Sequence, residues 1–278
     1  MISVLYLLNV ACSSGQSALG KQYAKSGGSS IVFNLNKTFS GLVLFTVISI
    51  ARGFSFHLPT MLLGMGYGLS LCISMHSGFK ALATGPMALT SIIASFSLLI
   101  PLFFGILFWN ESLTAFGMCG ILLLLLSIVI INGKLVGDIS YKWLFYAIVT
   151  FLTNGICSVI QKYHQIQFPA LYQTEFMVFA LLCVSIALSS SFCFNREGLS
   201  DFKISGFGII SGVLNCMANY IVLFLSATEN ASVLFPIISV ANIIVVWVIG
   251  IIFFKEKLTA LQTIGLIAGI LSIILLKL

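Results

Sequence analysis

Long apolar runs alternate along this chain with short breaks that are polar, charged or rich in glycine and serine. A helix that crosses a bilayer needs about 20 mainly apolar residues. The breaks leave ten runs of suitable size: Ile2–Gly20, Ser30–Ala51, Leu58–Phe79, Pro86–Trp109, Thr114–Asn132, Tyr141–Ile160, Pro169–Phe192, Lys203–Ser226, Ala231–Phe254 and Thr259–Lys277. The pattern predicts an all-α integral membrane protein with about ten transmembrane helices.

One part of this pattern occurs twice in the sequence. The segments Ser91–Ile128 and Pro236–Ile273 align without a gap. The aligned pairs include Gly105 with Gly250, Glu111 with Glu256, Gly120 with Gly265, and Ser127 with Ser272. Each copy is an apolar run, a short turn that carries a glutamate, and a second apolar run. In each turn the glutamate is predicted to stabilise the start of the next helix, with Thr114 and Thr259 as the N-caps.

The duplication extends upstream, because Gly15 and Tyr23 match Gly155 and Tyr163 at the same spacing. We therefore predict two five-helix repeats, residues 1–135 and residues 136–278. Since five is odd, the second repeat enters the membrane from the opposite side, which gives two inverted repeats related by a pseudo-two-fold axis in the membrane plane. Such repeats are typical of carriers, in which the two copies exchange roles around a central site.

Composition is consistent with a chain that lies in lipid. Of its 278 residues 59% are hydrophobic and only 7% are charged, whereas a soluble domain has about 25% charged residues. The net charge of +6 is scattered and forms no basic stripe, so we expect no nucleic-acid partner. The cysteines show no metal-ligand spacing, and we expect neither a metal nor another cofactor. The expected partners are the lipid bilayer and a small-molecule substrate.

The turn at Lys255–Ile273 reads KEKLTALQTIGLIAGILSI and resembles the end of an EamA-like repeat in the drug/metabolite transporter superfamily. Asn110–Ile128 is a less complete copy, without the glutamine and the second glycine, and Trp109 and Phe254 replace the first glycine of the motif. The resemblance implies a carrier of small organic solutes with a cavity lined by helices one, three, four, six, eight and nine. It also implies a multi-pass protein of the cell (plasma or inner) membrane, as a monomer or a homodimer.

We accordingly predict a secondary-active transporter of a small organic metabolite. A broad-specificity exporter of drugs or quaternary ammonium compounds, and a non-transporting membrane subunit or receptor, are the alternatives. An enzyme is not predicted, because the sequence has no HExxH or GxSxG motif and no paired intramembrane aspartates. Orientation stays open: the lysine and arginine count places both termini outside, and the resemblance implies that they are inside.

Polar side chains inside the apolar runs are the candidate substrate ligands, since such groups are costly in a bilayer. They are Ser14, Gln16, Tyr67, Ser70, Ser74, Ser95, Asn154, Ser158, Asn215, Asn219, Tyr220 and Asn242. Close helix packing is the alternative role for the serines, and hydrogen bonds between helices are the alternative for the amides. The central parts of the six cavity helices contain no acidic residue, which favours a neutral, zwitterionic or weakly cationic substrate.

Three ionisable residues are candidates for coupling transport to protons. Lys37 and Glu175 are predicted at matching depths, about two turns into the second and seventh helices. Both side chains can extend to the membrane interface. The alternative role for Glu175 is to carry the proton that is coupled to transport. His76 is the only histidine inside a predicted span, where it either titrates or bonds as a neutral ring to a neighbour.

Overall fold

The computed structural model describes residues 2–26, 30–84, 90, 93–94, 96–112, 114–132, 140–194, 205–254 and 260–277. These residues form ten α-helices and no strand. The helices are α1 (Ile2–Lys25), α2 (Ser30–Ala51), α3 (Leu58–Thr84), α4 (Leu99–Phe108), α5 (Ala115–Asn132), α6 (Tyr141–Gln167), α7 (Gln173–Phe194), α8 (Gly206–Thr228), α9 (Ala231–Phe254) and α10 (Ala260–Lys277). A 3₁₀ segment, Phe96–Leu98, precedes α4. The predicted all-α class is confirmed.

Helices α2 and α9 begin and end where the pattern predicts, but three others run at least five residues past their predicted ends. Helix α1 continues to Lys25, α3 to Thr84 and α6 to Gln167, through polar stretches that were predicted to be breaks. None of these stretches contains a glycine or proline, so nothing in its backbone chemistry ends the helix. The predicted start of the seventh helix at Pro169 is also wrong, since residues 168–172 form a turn and α7 begins at Gln173.

Six of the helices are long and apolar enough to cross a membrane: α1, α2, α3, α6, α7 and α8. The other apolar helical segments, as far as they are described, are shorter: Phe96–Phe108, Ala115–Ile130, Ala231–Val245 and Thr263–Leu276. The chain is therefore a helical protein of membrane-spanning character. The count of ten spans stays a prediction.

The chain divides into two compact units. The first consists of Met1–Cys72 and Tyr163–Ala227, and the second of Ile73–Lys162 and Thr228–Leu278. Each unit takes residues from both halves of the sequence, and α3 and α6 contribute to both units. The repeat boundaries at residues 135 and 136 are not tested by this division.

In the first unit, glycines bring α3 onto α7 and α8 onto α2. A Cβ atom on Gly68 would lie 2.6 Å from the carbonyl oxygen of Ala180, and one on Gly64 would lie 2.7 Å from that of Phe176. On α8, a Cβ atom on Gly208 would lie 2.6 Å from Cβ of Asn36, and one on Gly212 would overlap Ser40. These four glycines let helix backbones approach more closely than any side chain allows.

In the second unit, α5 packs along α10. The Ser127 hydroxyl donates a 2.7 Å hydrogen bond to the carbonyl oxygen of Gly265. On the same pair of helices, a Cβ atom on Gly120 would lie 3.1 Å from the carbonyl oxygen of Ser272. Helices α5 and α10 thus pack on each other along one side, while the Leu122, Leu126 and Ile274 side chains remain exposed.

The glutamate turn caps a different helix from the one predicted. The Glu111 carboxylate accepts hydrogen bonds from the backbone N–H groups of Ala231 (2.8 Å) and Ser232 (2.9 Å), which begin α9. A carboxylate at this position favourably meets the positive end of the α9 dipole. Thr114 is the N-cap of α5 as predicted, since its hydroxyl oxygen accepts a 3.0 Å bond from Gly117 N–H. Glu256 and Thr259 lie outside the described residues.

Candidate ligand-binding site

Side-chain amides meet where α1 contacts α8 in the first unit. Asn215 Nδ2 donates to Gln16 Oε1 at 3.0 Å, and Asn9 Nδ2 donates to the carbonyl oxygen of Ala218 at 2.8 Å. Asn219 Nδ2 donates to the carbonyl oxygen of Asn215 at 2.9 Å. Asn215 and Asn219 lie about one turn apart on α8, and Asn9 and Gln16 lie about two turns apart on α1, so each pair shares a helix face.

The contact brings together three predicted ligands, Gln16, Asn215 and Asn219, and adds Asn9, which sequence reasoning missed. The signal for Asn9 was present, because it is an amide inside an apolar run, two turns before Gln16. Its side chain is only 1% exposed, which places its amide in the interior of the first unit.

Several polar atoms in this part of the unit are buried without a hydrogen bond. Among the described residues, Asn9 Oδ1, Ser14 Oγ and Ser211 Oγ have no hydrogen-bond partner. Ser14 and Ser211 are each 0% exposed, and Ser211 lies one turn before Asn215 on α8. An unsatisfied buried polar group costs about 1–3 kcal/mol. Helices α1 and α8 therefore carry buried hydrogen-bonding groups that the described residues do not use.

Tyr220, one of the predicted substrate ligands, contacts a cation of the protein. Arg52 Nη1 donates to the Tyr220 hydroxyl at 2.9 Å, and the guanidinium carbon lies 5.4 Å from the centre of the tyrosine ring. Arg52 follows the end of α2 and is exposed. The tyrosine ring and its hydroxyl are thus occupied by the protein's own guanidinium group.

The α3–α6 contact, in the second unit, is also polar, but here the side chains bond to one another. The Ser74 hydroxyl donates to Asn154 Oδ1 at 2.6 Å, and Thr150 Oγ1 donates to Ser77 Oγ at 2.9 Å. The Ser158 hydroxyl lies 3.4 Å from the carbonyl oxygen of Asn154, at the long end of a hydrogen bond. The predicted ligands Ser74 and Asn154 are therefore bonded across a helix contact.

The remaining predicted ligands are spread over other parts of the fold. Tyr67 is buried, with its ring edge-to-face against Phe176 at 5.5 Å between centroids. Ser70 is half-buried on α3. Asn242 lies on α9 in the second unit, and its buried Oδ1 has no hydrogen-bond partner among the described residues. Ser95 lies outside the described residues.

Two of the three coupling candidates differ from their predicted surroundings. Lys37 is half-buried about two turns into α2, as predicted, whereas Glu175 lies in the first turn of α7, so its predicted place two turns into that helix is wrong. The Glu175 side chain is 6% exposed and accepts a 2.9 Å bond from the Thr174 hydroxyl. His76 is exposed on α3, and it is not the only histidine in a span, because α6 extends beyond His164.

A buried hydrogen-bonded chain in the first unit escaped sequence reasoning altogether. Gln173 Nε2 donates to Gln165 Oε1 at 2.8 Å, and Gln165 Nε2 lies 2.8 Å from His164 Nδ1. His164 Nε2 then lies 3.1 Å from Thr60 Oγ1, which lies 2.9 Å from His57 Nδ1. His164 and Thr60 are both 0% exposed. The chain links the start of α3 to the end of α6 and the start of α7.

The partners of Gln165 fix the direction of this chain. Its Oε1 also lies 3.3 Å from the backbone N–H of Ala170, which can only donate, so its Nε2 must face His164. His164 Nδ1 is therefore an acceptor, and a neutral His164 carries its proton on Nε2 and donates to Thr60. The Thr60 hydroxyl is left to donate to His57 Nδ1.

Aromatic rings of a strained turn, residues 168–172, pack against the His57 end of this hydrogen-bonded chain. The His57 ring stacks on Tyr172 at 4.5 Å with 8° between the planes, and Phe168 meets His57 edge-on at 4.7 Å. Ala170 and Tyr172 have φ angles of 56° and 52°, a conformation that costs a non-glycine residue about 1–3 kcal/mol. The hydrogen-bonded chain and the ring contacts hold this turn. They were missed because His57 and His164 fall in breaks of the pattern that are far apart in sequence.

Comparison with known proteins bears on the fold alone. No family model matches the chain. It is 29% identical over 133 residues to the uncharacterized protein MJ1333.1 of Methanocaldococcus jannaschii, a match that spans 48% of this chain and 88% of that protein. A solved structure described only as "Crystal structure of protein" has the same fold, with a TM-score of 0.77 at 16% identity over 99% of this chain and 95% of that one.

Proposed function

We propose that this protein is a secondary-active, alternating-access transporter of a small organic solute, built from two inverted five-helix repeats. The observation that carries the proposal is a set of packing contacts that occurs twice. Where a residue of the first half contacts a residue of the second half, the equivalents of these two residues, each in the other half, are also in contact. A two-fold relation between two copies requires this pattern, because a contact between residues i and j must be matched by one between their equivalents.

The glycine contacts of the first unit follow this rule. Helices α2 and α7 each have 22 residues, and when they are aligned end to end, Phe33 is equivalent to Phe176 and Lys37 to Ala180. The positions on α3 that lie against the Phe176 and Ala180 carbonyl oxygens are Gly64 and Gly68. The positions on α8 that lie against the Phe33 and Lys37 carbonyl oxygens are Gly208 and Gly212, at the same spacing. The α3–α7 contact is thus repeated as α8–α2.

The α5–α10 contact of the second unit follows it as well. The sequence alignment pairs Gly120 with Gly265 and Ser127 with Ser272. Gly120 lies against Ser272, and Gly265 accepts the hydrogen bond from Ser127. A self-complementary contact of this kind is expected where two equivalent helices pack across a two-fold axis.

The ends of the even-numbered helices support ten alternating spans. Glu111, which follows α4, bonds to the first residues of α9. Lys162, near the end of α6, donates a 2.5 Å bond to the carbonyl oxygen of Glu229, which follows α8. If each helix crosses the membrane once, the ends of α4, α6 and α8 and the start of α9 all lie on one side, in agreement with these contacts.

The length of the relative from Methanocaldococcus jannaschii supports duplication. The match covers most of that protein but only about half of this chain, so that protein is the size of one predicted repeat. The motif KEKLTALQTIG favours the drug/metabolite transporter superfamily, and the buried polar atoms at the α1–α8 contact supply groups that a solute can bind. We assign no catalytic step to the chain.

Ligand screening followed by flux tests the proposal. Purified protein is screened by thermal shift against amino acids, nucleobases, amines and hydrophobic cations, and each stabilising compound is then measured for uptake into proteoliposomes at two pH values. We expect saturable uptake above that of protein-free liposomes. A stabilising ligand that is never transported would leave a receptor or subunit as the better assignment. The same pH dependence in Glu175→Gln as in the wild type would remove Glu175 as the coupling group.

A further inference from the structure

The buried hydrogen-bonded chain from Gln173 to His57 accommodates His164 only as a neutral ring. The ring donates from Nε2 to Thr60 Oγ1 at 3.1 Å and accepts at Nδ1 from Gln165 Nε2 at 2.8 Å. Protonation would place an N–H on Nδ1, opposite the N–H groups of the Gln165 amide. Two donors that face each other repel, so a charged His164 is compatible with this chain only if the Gln165 amide turns over.

Rotation of the Gln165 amide would break a contact that holds the turn between α6 and α7. Its Oε1 lies 3.3 Å from the backbone nitrogen of Ala170 and 2.8 Å from Gln173 Nε2. Gln173 can turn its own amide over and present an oxygen, but the Ala170 N–H can only donate. Ala170 therefore loses its acceptor, in a residue whose φ of 56° is already unfavourable.

The His164 ring has little freedom to find another acceptor. Its side chain is 0% exposed, and the rings of Phe168 and Phe176 pack against it with centroid distances of 5.5 Å and 4.6 Å. The adjoining turn, in contrast, is open to water, because Ala170 and Leu171 are exposed. The group that titrates is thus buried, and the segment that responds lies at the surface of the first unit.

We propose that His164 is a pH-sensitive latch: the neutral ring holds the turn at residues 168–172 closed, and the protonated ring releases it through the Gln165 amide. This device goes beyond the transporter function proposed above and does not depend on it. A histidine that must be neutral in the folded structure lowers the stability of that structure as the pH falls. The turn is therefore closed at about pH 8 and opens towards about pH 5, the range in which histidine changes its charge.

Two other titratable groups among the described residues act on His164. His57 lies at the far end of the same hydrogen bonds, and Glu175, on α7, acts on His164 electrostatically. A Glu175 carboxylate attracts a charged His164, and a charged His57 repels it. On α6 itself, Lys162 donates to the carbonyl oxygen of Glu229. Because His57 and Glu175 can each titrate as well, the experiment has to separate them from His164.

Hydrogen–deuterium exchange of the full-length protein in detergent tests the latch. Protection of the backbone amides of residues 170–172 is compared between about pH 8 and about pH 5, after correction for the intrinsic exchange rate. We expect this protection to fall about tenfold or more at the lower pH, the effect of one lost hydrogen bond or more. Equal protection at the two pH values would overturn the proposal.

His164→Gln assigns the effect to one residue. The amide keeps a donor and an acceptor but cannot take up a proton in this range, so its turn should be protected at both pH values as in the wild type at the higher pH. His76→Gln, at an exposed histidine of α3, is the matched control and should keep the pH dependence. PH dependence that survives in His164→Gln belongs to His57 or Glu175, and the latch is then wrong.

Gln165→Glu tests the mechanism and decides the matter if the turn does not form in His164→Gln. A carboxylate can accept from the Ala170 N–H and from a charged His164 at the same time, so this turn should stay protected at the lower pH. A general effect of acid on the fold would leave Gln165→Glu as sensitive as the wild type, and that result would overturn the latch. Exchange is measured without substrate, so failure of uptake in proteoliposomes leaves this inference unaffected.

Discussion

The α1–α8 contact of the first unit and the α3–α6 contact of the second are the same contact under the proposed repeat, since α1 is equivalent to α6 and α8 to α3. Their chemistry differs. In α3–α6, Ser74 satisfies Asn154 and Thr150 satisfies Ser77, so the polar groups join the two helices. On α1 and α8, Asn9, Ser14 and Ser211 have buried atoms without a hydrogen-bond partner among the described residues. Both contacts therefore use polar groups for cohesion, since Asn215 bonds to Gln16 and Asn9 to Ala218, but buried polar atoms without a partner among the described residues are found on α1 and α8.

The polar groups differ between the two contacts, whereas the glycines of α3 and α8 have the same role. Gly64 and Gly68 on α3 have equivalents in Gly208 and Gly212 on α8, and both pairs lie against backbone of a neighbouring helix. Close approach of two helices depends on the absence of a side chain, so any larger residue is excluded at these places. Under the proposed repeat, the two copies therefore share the glycines that determine packing and differ in their polar residues.

The largest effect is expected when the glycines of the two packing contacts are replaced. Gly68→Leu and Gly212→Leu each place a side chain against a backbone oxygen, and each should lower the free energy of unfolding by about 3 kcal/mol or more. Thermal unfolding in detergent measures the loss. Gly206→Leu is the matched control, because nothing lies within 4 Å of a Cβ atom there. A severe effect at Gly68 with none at Gly212 would contradict the equivalence of the two contacts.

The next effect concerns the buried hydrogen-bonded chain of the first unit. Thr60→Val removes the hydroxyl between His164 and His57 and leaves two ring nitrogens without partners, so the free energy of unfolding should fall by about 2 kcal/mol. Thr46→Val is the control, since that hydroxyl bonds only to the carbonyl oxygen of Leu42 in its own helix. If both variants unfold at the same temperature, the buried chain does not hold the turn between α6 and α7.

The smallest effects are expected when single serines of the two polar contacts are replaced by alanine. Ser74→Ala removes the donor to Asn154 and should lower the free energy of unfolding by about 1 kcal/mol. Ser211→Ala removes a hydroxyl that has no partner, so its stability should be unchanged or higher. Unfolding midpoints of the two variants, measured side by side, test the assignment. Equal destabilisation would mean that Ser211 is satisfied in the folded protein.

The sequence predicted the helices better than the contacts. Periodic apolar runs located α2 and α9 to the residue, but the ends of α3 and α6 were missed because Lys80 and Gln161 are compatible with a helix. Glu111 was correctly placed at a helix start, but at the wrong helix. Which helix it meets depends on tertiary packing, and no local pattern encodes that.

The candidate site was predicted in part for the same reason. Gln16, Asn215 and Asn219 stand out because they are amides in apolar runs. The free-energy cost of placing a polar side chain in a bilayer can be recognised from the sequence alone. The difference between Asn154, whose oxygen is bonded, and Asn9, whose oxygen is not, arises from neighbours far away in the chain. The His164 chain joins residues from three helices, so it could not be predicted from the spacing of its members.

The most direct test of the central claim, that the two halves are inverted copies, is the side of the membrane on which equivalent turns lie. Single cysteines are introduced as Ser26→Cys, after α1, and Gln167→Cys, at the end of α6, both exposed positions, in a chain whose seven native cysteines have been replaced. Each is labelled with a membrane-impermeant maleimide on intact cells and on inside-out vesicles. Inverted repeats predict that the two positions label from opposite sides, and labelling of both from the same side would contradict the account.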